Sequence, residues 1–364
     1  MVRNSFDIVN PVLNDEDMIR IGEEILAELK TAFVRVAMGY EMPTARDTWE
    51  SIIKERFDEL EKINPMRQQR AIATLRRIGE TPKLRRAELG RFADLNLQSP
   101  NLLIKTSVSP KIRTHVKRLE TLAMRNVAFP FHPVVRVFPE SFDPTIMRPQ
   151  QTYKYTGVKF MMDKVYCVDE TGWDWWGSDE IWMGGTSIDE TGDVKKISAW
   201  EVHGDFDTGE TKNYSPDKQV HWFNVKEGGD NWPKHYFVYL VMAERDAGDF
   251  PDWITKLYKK VKEKLTHYIA TVGGAVVGGA VGGPLGAVIG AIVGWIAGWV
   301  LDKVFGWIKS LWEDDLIAKC TYHLTHVGPQ ATFGGSARSS VAAVNYYGGS
   351  GKYRVWTYWE LFNY

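Results

Sequence analysis

Between Leu265 and Leu301 the chain carries no Asp, Glu, Lys or Arg, and within that run seven glycines recur every fourth residue: Gly274, Gly278, Gly282, Gly286, Gly290, Gly294 and Gly298. The residues between them are almost all Ala, Val, Ile, Leu and Trp, including Trp295 and Trp299. Glycine costs roughly 1 kcal/mol relative to alanine in a helix surrounded by water, so a water-exposed helix would tolerate this stripe poorly. In lipid the balance reverses, because small residues at i, i+4 let two helix backbones approach where no hydrophobic effect drives them together. One straight helix over this run would be about 55 Å long, well beyond the ~30 Å hydrocarbon core. Gly282-Gly283-Pro284 is a turn signal at its centre. The segment therefore reads as a helical hairpin with arms 265–281 and 285–301, each about 17 residues and near the lower limit for spanning.

The flanks fit a membrane. Lys256, Lys259, Lys260, Lys262 and Lys264 interleave with Trp253, Leu257, Val261 and Leu265, a basic amphipathic helix suited to an anionic surface. Trp299, Phe305, Trp307 and Trp312, with Lys303 and Lys309, resemble an interfacial aromatic belt. The competing reading is a Gly/Ala-rich hairpin buried permanently in a soluble core. If the hairpin inserts, the hydrophilic remainder of the chain implies storage in a soluble form and release on contact with a bilayer.

At 364 residues the chain has room for two or three domains with real cores. The formal net charge of −1 hides a lopsided distribution. Residues 63–130 hold 14 Lys/Arg against 4 Asp/Glu, and residues 161–250 hold 8 against 19. Either the two regions pair within the chain, or the basic one faces an anionic partner. The two cysteines, Cys167 and Cys320, fall in expected strands and make neither a disulfide framework nor a zinc site. The first ten residues lack the apolar core of a signal peptide. Synthesis in the cytoplasm is expected, with action outside the cell requiring lysis or a dedicated export machine.

The expected fold class is α+β. Residues 1–150 read as a helical docking or delivery module, with a helix capped by Asn14 and apolar residues recurring from Met18 to Val36. Further helices are expected over 48–63, 65–78 and 113–124. From Tyr153 the period changes to two, predicting strands over 164–168, 180–187, 195–203, 219–225 and 235–243, then 316–327, 340–346 and 353–361. About eight antiparallel strands suit a β-sandwich, formed by 151–250 and 314–364. Residues 251–313, the basic helix and the glycine hairpin, are an insertion between two of its strands.

Acidic residues gather at the expected loops. Crowded carboxylates on flexible loops offer the oxygen ligands that calcium takes in numbers of six to eight; solvated acidic turns are the alternative. Val168-Asp169-Glu170-Thr171-Gly172 with Gly177-Ser178-Asp179-Glu180-Ile181 resembles the first calcium loop of the synaptotagmin-type calcium-dependent lipid-binding β-sandwich. Glu244-Arg245-Asp246 with Asp314-Asp315-Leu316-Ile317-Ala318 resembles its third loop. The resemblance implies Asp169, Asp179, Glu244, Asp246 and Asp314 as calcium ligands at a membrane-facing tip, the tip into which the hairpin is inserted. Glu180 and Ala318 depart from the family's proline and glycine. Trp173, Trp175 and Trp176 in the first loop either enter the interface or cap the sandwich core.

No catalytic motif accompanies these features. Gly348-Gly349-Ser350-Gly351-Lys352 lacks the first glycine and the closing Ser/Thr of a phosphate loop, which here are Tyr346 and Tyr353. No nucleophile elbow or paired-histidine zinc motif is present. His323 and His326, three apart in a strand, would face opposite sides. The hairpin resembles those of bacterial pore-forming toxins in composition. The reading is a non-enzymatic, membrane-inserting effector that binds an anionic bilayer, oligomerises there to permeabilise it, and has no specific nucleic-acid partner. The alternatives are a non-toxic membrane anchor or scaffold, and the cargo of a contractile injection machine with an enzymatic activity that leaves no linear motif.

Overall fold

A computed structural model describes residues 16–41, 43, 48–99, 134–137, 153–170, 179–230, 232, 234–244, 250–273, 299–301, 303, 304, 306, 307, 316–348 and 351–364. The glycine stripe, Asn14, the helix expected over 113–124, the three loop tryptophans, Asp246 and Asp314 lie outside them.

The N-terminal region begins with four helices: α1 (Glu16–Met38), α2 (Trp49–Ile63), α3 (Pro65–Glu80) and α4 (Pro82–Leu89). Their boundaries follow local chemistry. The Thr48 hydroxyl accepts from the Ser51 amide and the Ser51 hydroxyl accepts from the Thr48 amide, a reciprocal cap that starts α2. Pro65 and Pro82 occupy first-turn positions of α3 and α4, where the missing N–H costs nothing. α4 was not expected from the sequence, because Lys83, Arg85 and Arg86 dilute its apolar periodicity.

Two sheets follow. The first has the order β1-β7-β6-β3-β4, with β1 (Val134–Val137), β3 (Asp179–Ile188), β4 (Val194–Phe206), β6 (Lys234–Glu244) and β7 (Leu316–His326). The second has the order β5-β2-β9-β8, with β2 (Gly157–Asp169), β5 (Thr211–Asn224), β8 (Ala342–Gly348) and β9 (Gly351–Phe362). All pairings are antiparallel except that of β1 with β7, so a short parallel edge strand lies inside the span expected to be helical. β2 and β5 run well beyond their expected limits. Pro216 and a register shift, in which four residues of β5 between Asn213 and Lys218 face a single residue of β2, interrupt the alternation that the sequence reading relies on. An edge strand tolerates both.

The inner faces of the sheets meet over an aromatic core that includes Phe160, Trp359 and Tyr322, with ring centroids 4.8 and 4.6 Å from Phe160. Cys167 and Cys320 are buried there as free thiols. The outer face of the first sheet is also covered. Phe237, Tyr239, Val241 and Ala243 of β6 share one apolar cluster with α1 to α4 and with α5 (Phe250–Gly273). That explains why β6 is buried at ten successive positions and reads as a continuous apolar run. The architecture is three layers: helices, sheet, sheet.

The placement of α5 corrects an expectation. Its apolar face, including Trp253, Leu257, Val261 and Leu265, is fully or nearly fully buried against α1, α2 and the first sheet, and is therefore not presented to a lipid surface. The Trp253 indole donates to the Ile52 carbonyl and the Thr255 hydroxyl to the Gly185 carbonyl. Lys256 pairs with Glu55, Lys260 with Glu263 and Lys264 with Glu28. The return from the insertion docks in the same cluster. Val300, Leu301 and Val304 are fully buried, Trp299 packs against them, and Trp307 stands edge-on to Phe33 at 5.3 Å, while Trp253 meets the same ring at 6.4 Å. Thus Trp299 and Trp307 contribute to the core rather than to an exposed belt. Leu257→Ala should cost about 2–5 kcal/mol of unfolding free energy. Urea melts would report it; a loss under 1 kcal/mol would mean that α5 is peripheral.

Among the described residues, the basic region pairs with α1 or with itself, through Arg91–Glu24, Lys30–Glu88 and Arg86–Asp94.

Candidate functional site

The antiparallel register gives the sandwich two ends. At one lie Asp169, the start of β3, Glu244 and the β8–β9 turn; at the other lie the β3–β4 turn, Lys234 and the β5–β6 loop. The described residues expected to bind calcium are at the first end, but no group within ligand distance forms from them. Asp169 is instead ion-paired with Lys352 at 2.5 Å. Asp179 opens β3 opposite Phe206 of β4, and Glu244 lies near the close of β6 opposite Ile181.

The carboxylates that do converge are at the opposite end. Oxygens of Asp189, Asp193 and Glu227 all lie within 4.8 Å of one another, the one such group among the described residues. The β3–β4 turn holds two of them. Gly192 takes φ 82°, and a single oxygen of the buried Asp189 accepts from the Thr191 amide, the Thr191 hydroxyl and the Asp193 amide. Three carboxylates suit a hard cation, but Lys195 already stands 3.9 Å from Asp189 and 4.0 Å from Glu227. The sequence does hint at this turn: Asp-Glu-Thr-Gly occurs at 169–172 and again at 189–192, the second copy being followed by Asp193.

Beneath the turn is a buried ion pair. Lys234 has no exposed surface. Its ammonium donates to Glu190 at 3.0 Å and to the Val225 and Glu227 carbonyls at 2.5 Å each, filling its three donor sites. Burial raises the Glu190 carboxyl to about 7 despite that partner, and burial lowers the Lys234 ammonium. The Tyr236 hydroxyl is buried beside this pair, and burial, then the charges of Glu190 and Asp189, raise it well above its ordinary value. His326, opposite Lys234 in the register, packs on Trp232 at 5.0 Å. Burial, then the Lys234 charge, depresses it to about 3.

His323, three residues earlier, lies on the other face of β7 as its spacing requires. Its Nε2 is 3.0 Å from Nδ1 of His235 and its ring stacks on Phe237 at 4.3 Å. Both imidazoles are buried. The glycine-rich segment at 348–352 is the β8–β9 turn, pairing Gly348 with Gly351.

α5 ties the acidic end to the insertion. Thr255 lies at Gly185, while the Lys262 side chain reaches Gly192 in the β3–β4 turn and feels Asp193 and Asp189. The helix therefore runs toward that turn, and its remaining eleven residues to Gly273 extend about 16 Å further. Among the described residues no helix is long and apolar enough to cross a membrane. Compared with protein-family models, curated proteins and solved structures, the chain matches none.

Proposed function

We propose that this protein is a membrane-inserting effector that acts by driving the glycine hairpin at 274–298 into a bilayer, without catalysis. The observation that carries this reading is the meeting of Trp253 and Trp307 on Phe33. The two feet of the insertion stand side by side, and the residue midway between them in the chain is Ala280, two positions from Gly282-Gly283-Pro284. A hairpin folded at that tripeptide gives arms of matching length from Leu265 and Val300. Each arm reaches about 26 Å, most of the ~30 Å hydrocarbon core, with the feet still docked. Insertion then needs no unfolding of the sandwich. Glycine faces at i, i+4 would pack arm on arm or copy on copy, and since two short helices cannot line a wide pore, permeabilisation requires oligomers.

Dye release from anionic liposomes tests this, using wild type and a Gly286→Leu/Gly290→Leu variant. Wild-type protein should release dye, and the variant should lose at least tenfold in rate while keeping its thermal melt. Equal release by both overturns the glycine-stripe mechanism. Binding without leakage identifies a membrane anchor instead, and no binding assigns the hairpin to a soluble core. Repeating the assay with calcium and with chelator tests the calcium dependence that the loop resemblance implies.

A further inference from the structure

The second sheet has one face on the core and one face on which no described residue packs as a further layer. Strand register places Lys159 opposite Trp222, Lys164 opposite Trp356, and Gly157 opposite Phe362 on that open face, with Arg354 one step along β9 beside Tyr166. Cations and rings are already in contact. The Lys159 ammonium stands 4.4 Å from the Phe362 centroid and that of Lys164 4.9 Å from Trp356. A Cβ on Gly157 would lie 2.4 Å from the Phe362 ring, so that ring lies down against the β2 backbone and is held there. Neither lysine has an ion pair among the described residues. The Arg354 guanidinium spends its Nε on Asn345 at 2.9 Å and has no carboxylate partner among the described residues. Trp222 is 41% exposed and Tyr364, edge-on to it at 5.2 Å, is 63% exposed.

We infer that this face binds an acidic polysaccharide, a polyuronate-type chain lying across the strands. Among the described residues the three cations stand against two carboxylates, Glu360, which lies opposite Lys159 in the register, and Asp163 of β2, so the surplus is positive and the complementary partner is anionic. From Lys159 to Lys164 is about 16 Å along β2, enough for a short run of sugar rings. Carboxylates of the chain would take charge-assisted hydrogen bonds from Lys159, Lys164 and Arg354, and the apolar faces of its rings would lie on Trp222 and Tyr364. Other anions fit less well. Nucleobases need open ring faces, and here Phe362 and Trp356 each carry an ammonium. A bilayer on this face would lie two layers away from the insertion, whose feet are in the helical layer, and α5 leaves along the strands rather than through the open face. The inference goes beyond membrane insertion and assigns the second sheet to target recognition.

Affinity electrophoresis and titration calorimetry of the full chain with polygalacturonate, neutral amylose, a single-stranded oligothymidylate and phosphatidylserine-containing vesicles provide the test. Polygalacturonate should retard the wild type and amylose should not. Lys159→Glu/Lys164→Glu should weaken polygalacturonate binding at least tenfold, Trp222→Ala should also weaken it, and Arg70→Glu on α3 should leave it unchanged. Liposome leakage should be the same for all four proteins, which separates this inference from the insertion mechanism. Lys159→Gln serves as a milder variant if the charge reversal lowers the melt. Absence of polygalacturonate binding at low salt overturns the inference, as does tighter binding of the oligothymidylate or of vesicles that the same substitutions abolish.

Discussion

Acidification from pH 7.5 to 4.5 is expected to lower the unfolding free energy by about 4–5 kcal/mol, through histidines buried in their neutral form. Burial holds His221 and His235 down to about 4, helped at His221 by the Lys195 charge, and His326 to about 3. A base whose folded pKa lies below its unfolded value binds its proton more tightly when unfolded. Its stabilising contribution is therefore complete above about 6.5 and is lost as the pH falls toward the folded pKa. Two units of pH below 6.5 correspond to about 2–3 kcal/mol per histidine. Glu190 opposes this, because its folded value of about 7 lies above the unfolded one, so its contribution is present at low pH and lost as the pH rises through 7. That offsets about 3 kcal/mol, and three histidines outweigh one carboxyl. Guanidinium melts at the two pH values check the sum, and unchanged stability would mean that these imidazoles are solvated. His221, hydrogen-bonded to Ser187 at 2.9 Å across the two sheets, makes the sandwich itself part of the acid response.

Lys234→Met should be the most damaging single substitution in the sandwich, costing about 3–5 kcal/mol, because it strips the partner from a carboxylate that is 4% exposed. It also frees the Val225 and Glu227 carbonyls, so the β5–β6 loop loses its tie to the β3–β4 turn. Lys234→Met/Glu190→Leu should recover most of that loss, since an apolar pair of similar volume replaces a desolvated ion pair at little net cost. Thermal and denaturant melts of the single and double variants distinguish the outcomes. A double variant no better than the single would place the cost in the carbonyl contacts rather than in the orphaned charge. The His326 imidazole, relieved of the Lys234 charge, should titrate at higher pH in both variants, which NMR would read directly.

Much of the architecture was legible in local patterns. The apolar repeat from Ile21 to Val36 set the course of α1, Thr48 marked the start of α2 and Pro65 that of α3, and period two located all eight strands of the antiparallel part, with β2 and β5 truncated where a bulge and Pro216 broke the alternation. The opposite facing of His323 and His326 also followed from spacing alone. Site chemistry was less legible. The loop motif points to Asp169 as a metal ligand but gives no sign that Lys352 pairs with it from the neighbouring strand. Asp189 and Asp193 meet Glu227, some 35 residues along the chain, only because the β3–β4 turn and the β5–β6 loop share one end of the sandwich. The helix carrying Lys256, Lys259 and Lys264 had the composition of a membrane-surface helix, but an amphipathic pattern specifies that one face must leave water, not what covers it.

By itself, then, the sequence determined α1 to α3, the eight strands of the antiparallel part and the charge-free glycine stripe, because each depends on residues two to four positions apart. Only the tertiary structure decided that α5 is covered by α1, α2 and the first sheet instead of lipid, that Trp253 and Trp307 bring the feet of the insertion together on Phe33, and that Lys234 is sealed beneath the acidic turn. Those outcomes depend on which distant segments the chain path makes neighbours, and the burial and charge energies that act there arise only once the layers have packed.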